Sequence, residues 1–180
     1  MAELPCLYIL LDHSASMNGA PLEALRQGMQ VLLSAFERYS GQPIRAALIA
    51  YESAPTAVTA PQAIDSPSFS AEVDLILAAL EPAGASNLGR ALRRLAAELP
   101  KDAPAAIYLF SDGGFTDDWQ SALAELRPRL KRFYAVACGM AADYQTLGAA
   151  DQVLRVSDLT ADLLLATLRD IVRDIVRGAK

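Results

Sequence analysis

Three short segments of the sequence carry side chains that could hold a hard cation. They are Asp12-His13-Ser14-Ala15-Ser16, Gly84-Ala85-Ser86-Asn87 and Ser111-Asp112-Gly113-Gly114. Pooled, they offer the carboxylates of Asp12 and Asp112 and the hydroxyls of Ser14, Ser16 and Ser86, with no Cys and no second His. Oxygen donors of this kind suit Mg²⁺, Mn²⁺ or Ca²⁺ and are poor ligands for zinc or copper. Two carboxylates brought together repel, which pushes one pKa upward, and a divalent cation between them removes that cost. Asp12, Ser14 and Ser16 are spaced by two, so on extended backbone they point one way while His13 and Ala15 point the other.

Each segment also has a plainer use. Asp12 with Ser14 can form an Asx-turn after a strand. Ser86 or Asn87 can cap a helix beginning at Leu88, and Thr116, Asp117 or Asp118 one beginning at Trp119, for which capping is the favoured reading. The sole histidine, His13, has no Ser and Asp at triad-like spacing and reads as a structural or rim residue. The basic stretch Arg127 to Arg132 reads as an exposed helix end, and Trp119 as core.

These segments need elements to position them. Four nearly continuous apolar runs, Leu4 to Leu11, Ile44 to Tyr51, Ala105 to Phe110 and Phe133 to Ala137, have the length and content of strands covered on both faces. Leu22, Leu25, Met29, Leu32, Leu33 and Phe36 recur at helical spacing, with Pro21 suited to the first turn and Gly41 to the end. Leu88, Leu92, Leu95 and Leu99 form a second stripe, and Trp119, Leu123, Leu126 and Leu130 a third. Strand and helix alternate, which predicts an α/β fold: a doubly wound, mostly parallel central sheet with helices on both faces. Thr56 to Ala60 follows the second run too closely for a parallel crossover and reads as one antiparallel edge strand. Pro61 to Ser70 reads as a polar loop. Gln152 to Val156 reads as a last strand and Asp158 to Arg177 as a closing helix, with Leu164, Leu168, Ile171, Val172 and Ile175 inward and Arg169, Asp170, Arg173, Asp174 and Arg177 outward. Residues 1–180 are expected to form one domain, which suits a chain of 180 residues that is 53% hydrophobic.

Composition narrows the function classes. With 16 Lys+Arg against 21 Asp+Glu the formal charge is −5, which lacks the basic footprint of a nucleic-acid binder. Apolar runs fall well short of the roughly 18 to 20 residues that span a bilayer, so no membrane partner is expected. Met1 to Pro5 lacks the basic region of a secretory signal, so the expected location is cytoplasmic. Cys6 and Cys138 lie in apolar runs and read as buried, reduced thiols.

The pattern Asp12-x-Ser14-x-Ser16, the hydroxyl in Gly84-Ala85-Ser86-Asn87-Leu88-Gly89 and Asp112 in Phe110-Ser111-Asp112-Gly113 together resemble the metal-ion-dependent adhesion site of von Willebrand factor A domains. The stretches Ser111 to Trp119 and Ala150 to Val156 bring the resemblance nearest to bacterial tellurium-resistance TerY-type proteins. It implies a divalent cation, Mg²⁺ first and Mn²⁺ or Ca²⁺ as alternatives, held by Asp12, Ser14, Ser16, Ser86 and Asp112. It also implies that another protein's Asp or Glu completes the coordination. Met17 and Phe115, which flank the site in sequence, are candidates for the apolar contact around it. The implied function is metal-dependent protein binding in a cytoplasmic stress-response system, with a kinase, a phosphatase or a phosphorylated protein as partner. Ala15 stands where the family has Gly, Ser86 where it has Thr, and Phe115 where it has Pro, yet every oxygen ligand is kept. The alternatives are a metal-independent scaffold of the same fold and a phosphoryl-transfer enzyme. The second would resemble the haloacid-dehalogenase family, which has an Asp where this chain has Ser14. No Walker loop, GxSxG elbow or GxGxxG is present, so no catalysis is expected.

Overall fold

The computed structural model describes residues 4–99 and 104–177. The four apolar runs become β1 (Cys6–Asp12), β2 (Arg45–Tyr51), β5 (Ala105–Ser111) and β6 (Leu130–Ala137), joined by the shorter β3 (Pro55–Val58), β4 (Gln62–Ala63) and β7 (Gln152–Arg155). They form one sheet in the order β3-β2-β1-β5-β6-β7, with β4 also against β2. The β1–β2, β1–β5, β5–β6 and β6–β7 pairs are parallel, and β3 and β4 pair antiparallel to β2. Every residue of β1 and β5 is buried, as expected of inner strands with both faces covered.

The covering helices are α1 (Ala20–Arg38), α2 (Pro67–Ala79), α3 (Leu88–Glu98), α4 (Trp119–Leu126), the single turn α5 (Tyr144–Leu147) and α6 (Ala161–Arg177). Alternate strand residues feed two separate cores. Leu7, Ile9 and Leu11 pack with α1, α2 and α6, whereas Tyr8 and Leu10 pack with α3 and α4. No helix among the described residues is long and apolar enough to cross a membrane. Both cysteines are free and buried, and burial pushes the Cys6 thiol up to about 11.

Some expectations need correction. Pro61 to Ser70 is no loop: it holds β4 and the start of α2. That helix hides from periodicity because Val73, Leu75, Ile76 and Leu77 run round its circumference and leave no polar face for contrast; it buries Phe69, Val73 and Leu77. Leu130 opens β6 instead of closing the α4 stripe, since Pro128 breaks the helix between them. Gly41 does not cap α1, which ends at Arg38 with Tyr39 extended. Val156–Asp158 is a 3₁₀ turn, so α6 starts at Ala161. Trp119 is half-buried at the edge of the second core. The basic stretch is bound into the fold: Arg129 donates to the carbonyls of Ala96 (3.1 Å) and Leu99 (2.7 Å) at the end of α3, and Arg132 pairs with Asp174. The reading of Met1 to Glu3 and the side chain of Arg177 lie outside the described residues.

Candidate functional site

Strand order reverses between β1 and β5, where the chain winds one way to β2 and the other way to β6 and β7, and ligands on open α/β sheets gather beyond the carboxyl ends of the strands at this point. Asp12 is the last residue of β1 and Ser111 the last of β5; Ser86 sits in the loop that enters α3. The Asp12 carboxylate is 0% exposed. Its Oδ1 accepts the Ser14 amide at 2.9 Å, and its Oδ2 accepts the hydroxyls of Ser86 at 2.7 Å and Ser111 at 2.6 Å. The Oγ atoms of Ser14 and Ser16 are 3.2 Å apart. Gly114 donates its amide to Asp112 Oδ1 at 3.0 Å, and a Cβ on Gly114 would meet both that oxygen (3.3 Å) and Ser16 Oγ (3.5 Å). The DxSxS segment, the Ser86 loop and the Asp112 loop therefore adjoin.

Ser14 and Ser16 come together for a reason other than strand alternation. β1 stops at Asp12, and Ala15–Met17 folds back as a 3₁₀ turn. Ser111 was legible only through register: Leu11 pairs with Phe110, so the next position along places Ser111 across from Asp12. Met17 is 0% exposed and packs in the core with α1, which corrects its assignment to a partner surface: the 3₁₀ turn aims it inward. Phe115 is half-buried, with its ring edge-on to Trp119 at 5.3 Å. His13 is tied at both ring nitrogens, Nδ1 to the Glu81 carbonyl (2.8 Å) and Nε2 to the Thr56 hydroxyl (2.7 Å), a structural use.

Burial pushes the Asp12 pKa up, against the downward pull of the hydrogen bonds from Ser111, Ser14 and Ser86. Among the described residues Asp12 has no ion-pair partner. A buried carboxylate without a cation is costly. The Tyr51 hydroxyl, fully buried, approaches Ser86 and Ser111 without forming a hydrogen bond, and burial together with the nearby Asp12 raises it well above its usual value. No three His, Cys, Asp or Glu side chains gather among the described residues, so the donor set is two carboxylates with hydroxyls. That chemistry fits a hard divalent cation and not zinc.

The neighbouring loop fixes where Ser86 sits. Asp118 caps its own helix, α4, through the Ser121 amide. Asp117 reaches across instead and accepts the Gly89 (2.9 Å) and Arg90 (3.0 Å) amides at the start of α3, a helix to which neither Ser86 nor Asn87 gives a side-chain cap. The Thr116 amide donates to the Ser86 carbonyl at 2.8 Å. Asp117→Ala leaves two helix amides without acceptors and is expected to cost about 1 to 2 kcal/mol in urea unfolding, with Asp117→Asn intermediate. Unchanged stability in the alanine variant would mean that water serves α3 equally well.

A family model described as von Willebrand factor type A domain matches residues 7–115. Among solved structures, a von Willebrand factor type A protein from Catenulispora acidiphila matches with TM-score 0.66 and 16% identity, over 97% of this chain and 43% of that one. Manganese-loaded TRAP protein of Plasmodium vivax matches with TM-score 0.71 and 16% identity, over 94% and 74%. The conserved hypothetical protein BatB from Bacteroides thetaiotaomicron matches with TM-score 0.63 and 14% identity, over 96% and 98%. The chain thus spans less than half of the first of these structures. No curated protein matches it in sequence.

Proposed function

The chain belongs to the von Willebrand factor type A domain family, whose members are generally interaction modules and not enzymes, and on that premise we propose that it binds another protein through a divalent cation. The carrying observation is Asp12, a fully buried carboxylate with no cationic partner among the described residues, held by the Ser14 amide and the hydroxyls of Ser86 and Ser111. Asp12, Ser14, Ser16, Ser86 and Asp112 would hold the ion, with Mg²⁺ as the first choice and Mn²⁺ or Ca²⁺ as alternatives. When bound, the ion supplies a positive charge that an acidic side chain can meet. Two protein carboxylates leave a divalent ion short of anionic donors, so an Asp or Glu of the partner is favoured at the remaining position. The half-buried Phe115 would lie beside that contact. The resemblance to TerY-type proteins favours a cytoplasmic stress-response setting, with a kinase, a phosphatase or a phosphorylated protein as partner.

A metal-independent scaffold is the second reading. Its specific support is that Asp12 already accepts three hydrogen bonds from within the chain. Affinity capture with and without chelator separates the two. Excess chelator or Asp112→Ala should release the partner while circular dichroism stays unchanged, and Phe115→Ala should weaken capture without altering Mg²⁺ affinity. A partner that stays bound under both treatments would refute metal-mediated binding.

A further inference from the structure

Tyr51 ends β2, and parallel register sets it beside Asp12, the last residue of β1, so both side chains leave the same face of the sheet. The loop that carries Ser86 is strapped to the chain just past Tyr51. The Asn87 amide donates to the Glu52 carbonyl at 3.0 Å, and the Ala85 amide to Ser53 Oγ at 2.9 Å. Ser86 is thus fixed through the backbone on either side of it, yet its side chain has less to hold it. A serine has one heavy atom on Cβ, which leaves χ1 three staggered wells, and here only the bond to Asp12 Oδ2 selects among them.

The Tyr51 hydroxyl is fully buried and forms no hydrogen bond. A buried donor left unpaired is unfavourable, and phenylalanine would fill nearly the same space without that cost. The oxygens it approaches are those of Ser86 and Ser111. A hydroxyl can donate once and accept twice. Ser111 Oγ donates to Asp12 and already accepts the Gly113 amide at 3.0 Å, whereas Ser86 Oγ donates to Asp12 and accepts nothing among the described residues.

We propose that Tyr51 is a positioning residue of the cation site, its hydroxyl donating to Ser86 Oγ when that oxygen turns to an ion. This role presupposes the divalent cation proposed above. Every place on Ser86 Oγ is then filled: its proton goes to Asp12, one lone pair accepts Tyr51, and the other is left for the ion. Bonds in three directions select a single χ1 well, so Ser86 is held as a direct ligand.

The test is Tyr51→Phe in the full chain, measured with and without Mg²⁺. In chelator the variant should melt no lower than wild type, because the hydroxyl it loses is unbonded there. Its Mg²⁺ affinity in calorimetry should nevertheless fall about five- to tenfold. In a Ser86→Ala background, which keeps both carboxylates, Tyr51→Phe should change affinity by less than about twofold, since the acceptor is gone. Mg²⁺ should also produce a tyrosine difference absorbance in wild type that Tyr51→Phe lacks. Equal or tighter Mg²⁺ binding in Tyr51→Phe would overturn the proposal, as would an undiminished loss in the Ser86→Ala background. A lower melting temperature in chelator would make the hydroxyl a prop of the metal-free fold and overturn it too. A wild-type chain that binds none of Mg²⁺, Mn²⁺ or Ca²⁺ would remove the cation itself, a failure distinct from a wild type that binds Mg²⁺ no better than Tyr51→Phe.

Discussion

Asp12→Asn is expected to abolish Mg²⁺ binding in calorimetry while leaving the fold intact. Asparagine keeps the volume and one oxygen for the Ser14 amide, which Asp12 holds at 2.9 Å, but removes one of the two carboxylates of the site. Wild-type protein should melt at rising temperature as Mg²⁺ is added, by about 2.7 kcal/mol of added stability at a hundred times Kd, and the variant should show no such rise. Without metal the sign reverses. Burial raises the Asp12 pKa in the folded state, so the fold holds that proton more tightly than the unfolded chain does. Its contribution to stability is fully present below the unfolded carboxyl value and is lost as pH rises through the raised folded value. Metal-free Asp12→Asn should therefore be at least as stable as wild type at neutral pH, a gain that comes with loss of the cation site. Protons compete for the same oxygens, so wild-type Mg²⁺ affinity should begin to fall at a pH above the ordinary carboxylate range. Equal Mg²⁺ affinity in the two proteins would remove Asp12 from the ligand set.

The parts of this molecule that sequence made legible are those where one physical signal acts alone. β1, β2, β5 and β6 are buried on both faces, so their apolar runs needed no periodicity to be seen, and α1, α3 and α6 carry stripes set by a single buried side. Signals were lost where two effects overlap. α2 packs Phe69, Val73 and Leu77 inward yet also turns Leu75 to solvent beside the β3 edge, which blurs the stripe that would have announced a helix. In the site, residue types and spacing marked Asp12, Ser14, Ser16, Ser86 and Asp112 as neighbours, and the geometry brings their three loops together. Distances along the chain could not say that Ser111 bonds Asp12, that Asp117 caps a helix 28 residues earlier, or that Met17 turns inward. Each of those depends on strand register or on the sense of a turn, and register is a property of the assembled sheet.

Gly28→Val should be among the most destabilising single changes in the chain, although helix propensity alone favours replacing a glycine inside α1 by about 1 kcal/mol for alanine. Gly28 lies on the buried side of that helix. A Cβ there would stand 2.8 Å from Phe110 Cε1 and 3.4 Å from Leu159 Cδ1. Phe110 is 0% exposed, so its ring has no open space to turn into. It is also the residue of β5 immediately before Ser111 and Asp112, so the close approach of α1 at Gly28 bears on the strand end that carries the site. Overpacking typically costs about 1 to 3 kcal/mol. Gly28→Ala should lose roughly 1 kcal/mol after its propensity gain, and Gly28→Val, with two more carbons and a branched Cβ, roughly 3. For a chain of this size the valine change corresponds to a fall in Tm of about 6 to 12 °C. Phe110→Leu should cost stability alone by opening a void but partly rescue Gly28→Val, giving a coupling of about 1 kcal/mol or more in a double-mutant cycle. Additive losses in that cycle, or a Gly28→Val protein within about 0.5 kcal/mol of wild type, would mean that α1 and β5 have slack between them. The glycine would then owe its place to something other than the close approach of the helix to Phe110.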